Sequence, residues 1–141
     1  MINGTTSEPA ALTVEERNRI ADVAIETASG RIPVVVATGS QNLQETRILT
    51  DHAQNAGADA LLIVTPYYSR PPQRGLVSYY NTLGRKISIP WMIYHIPGRA
   101  AVSVTLDTVK ILREQRRGFI GSPLRAVTNL CARKMHSLRW E

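Results

Sequence analysis

Alternation predicts an α/β protein built on parallel strands, and three observations carry that reading. Amphipathic helical stretches recur along the chain, and short β-branched apolar runs recur between them. Each run is too short for a helix and too apolar for a half-exposed strand, so it reads as a strand buried on both faces. Strands and helices taking turns at this spacing imply right-handed helical crossovers.

The elements follow in order. Thr13-Val14-Glu15-Glu16 is a capping box. Its threonine hydroxyl can accept from the Glu16 amide while the Glu16 carboxylate reaches back to Thr13. Ile20, Val23, Ala24, Thr27 and Ala28 then recur at helical spacing, and Gly30 marks the stop. The run IPVVVATG predicts the first strand, and 42–55 a helix with Leu43, Arg47, Thr50, Ala53 and Ala56 stepping round it before Gly57. ADALLIVT predicts the second strand, TPYYSRPPQRG a proline-rich loop, and 73–85 a helix with Leu76, Tyr79, Tyr80 and Leu83 on one face. IPWMIYHI predicts the third strand and PGRAAVSV a loop. VTLDTVKILREQ predicts a helix with Leu106, Val109, Ile111 and Leu112, and GFIG the opening of a fourth strand.

An open doubly wound sheet and a (β/α)8 barrel share this pattern. Three to four strands are few for either, so the chain reads as a slice of something larger, whose first helix lacks the strand that should feed it. Two open edges then predict marginal stability or association.

Composition narrows the class. The 141 residues, 43% of them hydrophobic, are enough for a real core. No run approaches the roughly 20 apolar residues of a membrane helix, and the N-terminus does not read as a signal peptide. One cysteine, Cys131, cannot form an internal disulfide, and no Cys/His cluster has metal-ligand spacing. A cytoplasmic home without metal or cofactor is expected.

The net charge of +6 is uneven. Residues 1–109 hold nine basic and nine acidic residues, whereas 110–141 hold eight and two. The tail, 122–141, shows no helical or strand period and reads as a disordered basic extension of a domain spanning 1–121. It lacks aromatic interleaving and any known nucleic-acid module, so a nucleic-acid role is disfavoured.

In a parallel α/β fold the loops leaving the strand C-termini share one face, and that face carries the chemistry. GTTSE (4–8), TGS (38–40), TPYYSRP (65–71) and YHIPGR (94–99) would all meet there. Each residue has a bland alternative. Tyr67 and Tyr68 could cover the mouth, Tyr94 could be a core tyrosine, and Thr5 and Thr6 could be turn residues. His95 alone is more often structural, and His52, mid-helix beside Asp51, reads as surface. Arg99 after Pro-Gly is harder to dismiss, because a rim guanidinium suits a carboxylate.

These four motifs, in this order and with these gaps, resemble the 4-hydroxy-tetrahydrodipicolinate synthase / N-acetylneuraminate lyase family, from about Ile2 to Gly121. The resemblance implies an incomplete (β/α)8 barrel, usually tetrameric in the family. It also implies pyruvate-dependent class I aldolase chemistry: a lysine forms a Schiff base with pyruvate, and the derived enamine attacks an aldehyde. By matched position, Tyr94 resembles the acid/base tyrosine, Thr5 the relay threonine, and Tyr68 the relay tyrosine lent across a subunit interface. Thr6 resembles the residue holding the pyruvate carboxylate, and Arg99 the arginine holding the second substrate's carboxylate. Pyruvate, an aldehyde and further copies of the chain are thus the implied partners.

Three positions depart from the pattern. Ser7 replaces the usual glycine, and His95 the common asparagine. Pro123 stands where the Schiff-base lysine belongs, and none of Lys86, Lys110 and Lys134 follows a strand. Since imine catalysis requires an amine nucleophile, the chain is expected to be inactive alone. Two other readings stand beside this one: an interaction fragment docking on a full-length homologue through Tyr67 and Tyr68, or a frame-shifted product. DNA downstream of the Gly121 codon would test the last, since a one-base shift restoring Gly-x-Lys identifies a damaged gene.

Overall fold

The computed structural model describes residues 1–116 and 118–121; the expected boundary at 121/122, the basic tail and the Ser122-Pro123 departure lie outside them or at their limit. Helix α1 (Val14–Ala28) starts at the predicted capping box, with Glu16 N donating to Thr13 Oγ1 at 3.2 Å and Thr13 N to Glu16 Oε2 at 2.8 Å. Then come β1 (Val35–Ala37), α2 (Leu43–Asn55), β2 (Ala60–Val64), α3 (Gln73–Gly84) and β3 (Trp91–Tyr94). A one-turn helix α4 (Pro97–Ala100), α5 (Leu106–Gln115) and β4 (Phe119–Gly121) complete the order. The Asn42 carboxamide caps α2 by accepting from the amides of Gln44 and Glu45.

The strands form one parallel sheet in the order β1-β2-β3-β4, with Val36 opposite Leu61 and Leu62 opposite Met92. Beyond β1, Ile2 makes a parallel bridge to Val36. Its amide donates to Val35 O and its carbonyl accepts from Ala37 N, both at 3.0 Å. The segment feeding α1 is therefore strand-like at this point, which two apolar residues before GTTSE could not signal.

Strand period sorts the core into two sides. Val36, Leu61, Ile63, Trp91, Ile93 and Phe119 belong to the large cluster that includes the helix residues Ala21, Ala53, Leu76, Tyr80, Leu83 and Leu112. Val35, Ala37, Ala60, Leu62 and Met92 form a smaller cluster on the other side, with Tyr94 packed against it. That alternation puts the Tyr94 ring on the face of the sheet away from the helices.

Four expectations are corrected. Ile20 and Val23 are exposed; beside the expected Ala28, α1 buries Arg17 and Ala21 instead. In α5, Leu106 (78% exposed) and Ile111 turn outward, while Thr108 and Leu112 face the core. His52 is not an isolated surface residue, because its Nε2 lies 2.7 Å from Asp22 Oδ1 on α1 and joins the two helices. Part of the expected loop after β3 is α4, where Pro97 supplies a preset φ at the first helical position. Among the described residues no helix is long and apolar enough to cross a membrane.

Candidate active site

Parallel register brings the C-terminal ends of β1, β2 and β3 to one edge. The Ile2 bridge delivers Gly4–Ser7 to the same edge. A cavity of about 800 Å³ opens there, with Thr5, Glu8, Arg17, Tyr67, Tyr94 and Arg99 on its wall. The Thr5 hydroxyl donates to the Tyr94 phenol oxygen at 3.3 Å, joining residues 89 positions apart.

Of the five residues singled out by sequence, the fold brings Thr5, Tyr94 and Arg99 onto this wall. Thr6 is exposed on the 3₁₀ turn Thr5–Ser7 and does not line the cavity. Tyr68 is 90% exposed with φ +67°, a left-handed conformation that directs it away from the cavity while Tyr67 faces inward. The Ser7 departure has a local role: its hydroxyl and amide both donate to Gly4 O, at 2.6 and 3.0 Å, closing the turn. His95 is exposed and accepts from Val104 N through Nε2 at 3.3 Å, so its ring steadies the following loop.

Two wall residues escaped sequence reasoning. Arg17 is 5% exposed, and its Nη2 donates to Ala37 O at 3.1 Å and Gly39 O at 3.3 Å, gripping the mouth of β1. Burial lowers its pKa, opposed by Tyr67 and Glu45. The available signal was its place one turn before Ala21, on the small-residue face that ends at Ala28. An arginine is ordinarily assigned to solvent. Asn3 is the other, 3% exposed, with Nδ2 donating to Arg17 O at 3.0 Å.

The β1–α2 loop is braced from behind. Ser40 Oγ donates to Glu45 Oε2 at 2.6 Å, and Ser40 N donates to Thr46 Oγ1 at 2.9 Å. The Tyr79 hydroxyl on α3 lies 3.0 Å from Thr46 Oγ1 and 3.3 Å from Ser40 O. Burial pushes the Tyr79 phenol up from 10.0 to about 12, and the Tyr80 phenol upward as well. Between those values the folded state keeps a proton that the unfolded chain has released, so stability falls with rising pH. The contribution is whole below pH 10.0 and is lost as pH rises through about 12. Urea midpoints should therefore drop steeply across that window, and less steeply in Tyr79→Phe; equal slopes would show that Tyr79 is not the group involved.

No described lysine reaches the cavity. Lys86 lies in the turn that feeds β3, at the opposite edge of the sheet, and Lys110 pairs on α5 with Asp107 at 3.3 Å. Neither is on the wall.

Residues 1–122 match the Dihydrodipicolinate synthetase family. The chain is 45% identical over 118 residues to a 4-hydroxy-tetrahydrodipicolinate synthase of Brucella abortus, a match covering 84% of this chain and 40% of that one. Among solved structures it resembles the Aquifex aeolicus dihydrodipicolinate synthase, with a TM-score of 0.80 and 40% identity over 82% of this chain and 39% of that one. It is equally similar in fold to the chloride-inhibited Acinetobacter baumannii enzyme complexed with pyruvate, with a TM-score of 0.80 and 37% identity over 84% and 40% of the two chains. The chain thus spans about 40% of the length of these relatives, and its four-stranded sheet is part of a (β/α)8 barrel.

Proposed function

Because the chain belongs to the dihydrodipicolinate synthetase family, we propose that its cavity is the substrate rim of a pyruvate-dependent aldolase whose Schiff-base amine is missing. The observation that carries this reading is the Thr5–Tyr94 hydrogen bond at the C-terminal edge of the sheet. A phenol joined to a threonine hydroxyl can pass a proton to and from a reacting carbonyl carbon or oxygen. A positioned acid/base of this kind contributes about 10²–10⁴-fold to rate.

In this reading Tyr94 is the acid/base and Thr5 its relay partner. Arg99, exposed on α4 at the cavity wall, takes the carboxylate of the second substrate. Thr6 lies off the cavity wall and is given no pyruvate contact, whereas Tyr68 reaches the site of a neighbouring copy. Its 90% exposure and outward φ support a role outside its own chain. The aldehyde is a carboxylated one, since a guanidinium favours that group.

The nucleophile is the missing part. Pro123 occupies the position matched to the lysine, and a proline side chain has no amine. The chain therefore binds pyruvate without forming an imine. Incubation with pyruvate and borohydride followed by peptide mass spectrometry should show no reduced adduct on Lys86, Lys110 or Lys134. A lysine adduct would refute the inactivity. Saturation-transfer NMR should detect reversible pyruvate binding that weakens in Tyr94→Phe, and absence of binding in the unaltered chain would sink the substrate-rim reading.

The exposure of Tyr68 favours one alternative, a non-catalytic fragment docking on a full-length homologue through Tyr67 and Tyr68. Co-elution with such an enzyme, abolished in Tyr68→Ala, supports it; a folded monomer that ignores the enzyme counts against it.

A further inference from the structure

We infer that Asn3, anchored on Arg17, is a positioning residue that sets the Thr5–Tyr94 hydrogen bond. The inference rests on reading that pair as the acid/base centre.

Asn3 is an inefficient stabiliser. Its φ of +53° lies in the left-handed region, which costs free energy even for asparagine. Among the described residues its Oδ1 is buried without a partner, which further offsets the single bond from Nδ2 to Arg17 O. What that bond supplies is location. The turn that carries Thr5 otherwise bonds to itself: Ser7 N and Oγ to Gly4 O, and Glu8 N to Thr5 O. Behind it, the Ile2 bridge ties the chain to β1. Between bridge and turn, the Asn3 side chain is the tie to α1. Arg17 in turn is held to β1 through Ala37 O and Gly39 O. A rigid path therefore runs from the sheet through Arg17 and Asn3 to Thr5.

The pair it serves has little slack. At 3.3 Å the Thr5–Tyr94 contact is already beyond the usual range of about 2.5–3.0 Å for O–H···O bonds. A displacement of a few tenths of an ångström in the turn breaks it. Tyr94 is fixed independently by β3, so the tolerance falls on the Thr5 side.

The test uses the full chain with ¹³Cζ-labelled tyrosine, which gives five signals, one for each tyrosine. Tyr94→Phe assigns the signal of interest, and Thr5→Val marks where it lies when the pair is broken. Asn3→Gly tolerates the left-handed backbone and deletes only the side chain. It is expected to move the Tyr94 signal to the Thr5→Val position, with the Tyr79 and Tyr80 signals unchanged. Asn3→Asp supplies a second arm. Its protonated carboxyl can donate to Arg17 O and its ionised form cannot, so acidification should return Tyr94 to its native position. An unmoved Tyr94 signal in a folded Asn3→Gly chain overturns the inference. So does a common shift of all five tyrosines, which marks a scaffold role. If Asn3→Gly does not fold, failure of Asn3→Asp to recover on acidification overturns it. The aldolase reading fails separately, by loss of pyruvate binding in the unaltered chain.

Discussion

Trp91→Ala is expected to cost about 3–5 kcal/mol, the usual range for truncating a large buried aromatic. Trp91 is fully buried in β3, where the sheet meets α3 and β4. Its ring stacks on Tyr80 with centroids 5.9 Å apart and tilts against Phe119 at 4.8 Å. Two glycines make room for it: a Cβ on Gly84 would come within 3.2 Å of Trp91 Cζ2, and one on Gly118 within 3.3 Å of Cδ1. Such close walls cannot collapse into the space the indole leaves, because the neighbours belong to separate elements held by their own hydrogen bonds. Native domains hold only about 5–15 kcal/mol in total, so this one change removes a large share. Urea unfolding followed by far-UV circular dichroism measures it, and Trp91→Phe should recover part of the loss. A change below about 1 kcal/mol would mean that the aromatic cluster does not organise the core.

Gly39→Ala is the second large effect, and it acts at the site itself. Gly39 follows β1 in the TGS segment and accepts from the Arg17 guanidinium. A Cβ there would lie 2.5 Å from Val64 N and 2.7 Å from Val64 Cγ1. Backbone is on the other side of that contact, so no side-chain rotation relieves it. The β1–β2 edge must open or the loop must lift, at about 1–3 kcal/mol or more. Either movement also displaces the carbonyl that Arg17 grips, so the pyruvate binding proposed for this cavity should weaken alongside stability. Gly98→Ala is the control. Among the described residues nothing lies within 4 Å of a Cβ at Gly98 and its φ is ordinary, so the change should leave stability within about 0.5 kcal/mol or raise it slightly. Equal melting curves for the two variants would overturn the close-approach argument.

Much of the architecture was legible because local chemistry and global fold agree. Val35–Ala37, Ala60–Val64 and Trp91–Tyr94 are apolar and β-branched enough to read as buried strands, and they are strands. Thr13 read as a helix start because a short polar side chain satisfies free amides at an N-terminus, and the structure adds Asn42 as the cap of α2. The rim motifs were legible as a set, since parallel strands must end on one edge. Less legible was which face of each helix goes inward. Ile20 and Leu106 satisfy helical period as well as Ala21 and Leu112 do, yet they point outward. Period alone identifies a stripe, and the distance to the sheet decides whether a large or a small residue fits beneath it.

By itself, the sequence determined that the chain is α/β with parallel strands and that its rim carries Thr5, Tyr94 and Arg99. Those properties depend on residue type and order. Tertiary structure alone decided that Thr5 meets Tyr94 across 89 residues, that Arg17 is buried beneath the cavity, and that Tyr68 turns away from it. The physical reason is that each is a matter of distance and direction between segments far apart in the chain. Strand register, a left-handed φ at Asn3 and Tyr68, and two backbone carbonyls at the mouth of β1 set those distances. None of these has a signature in the order of the amino acids.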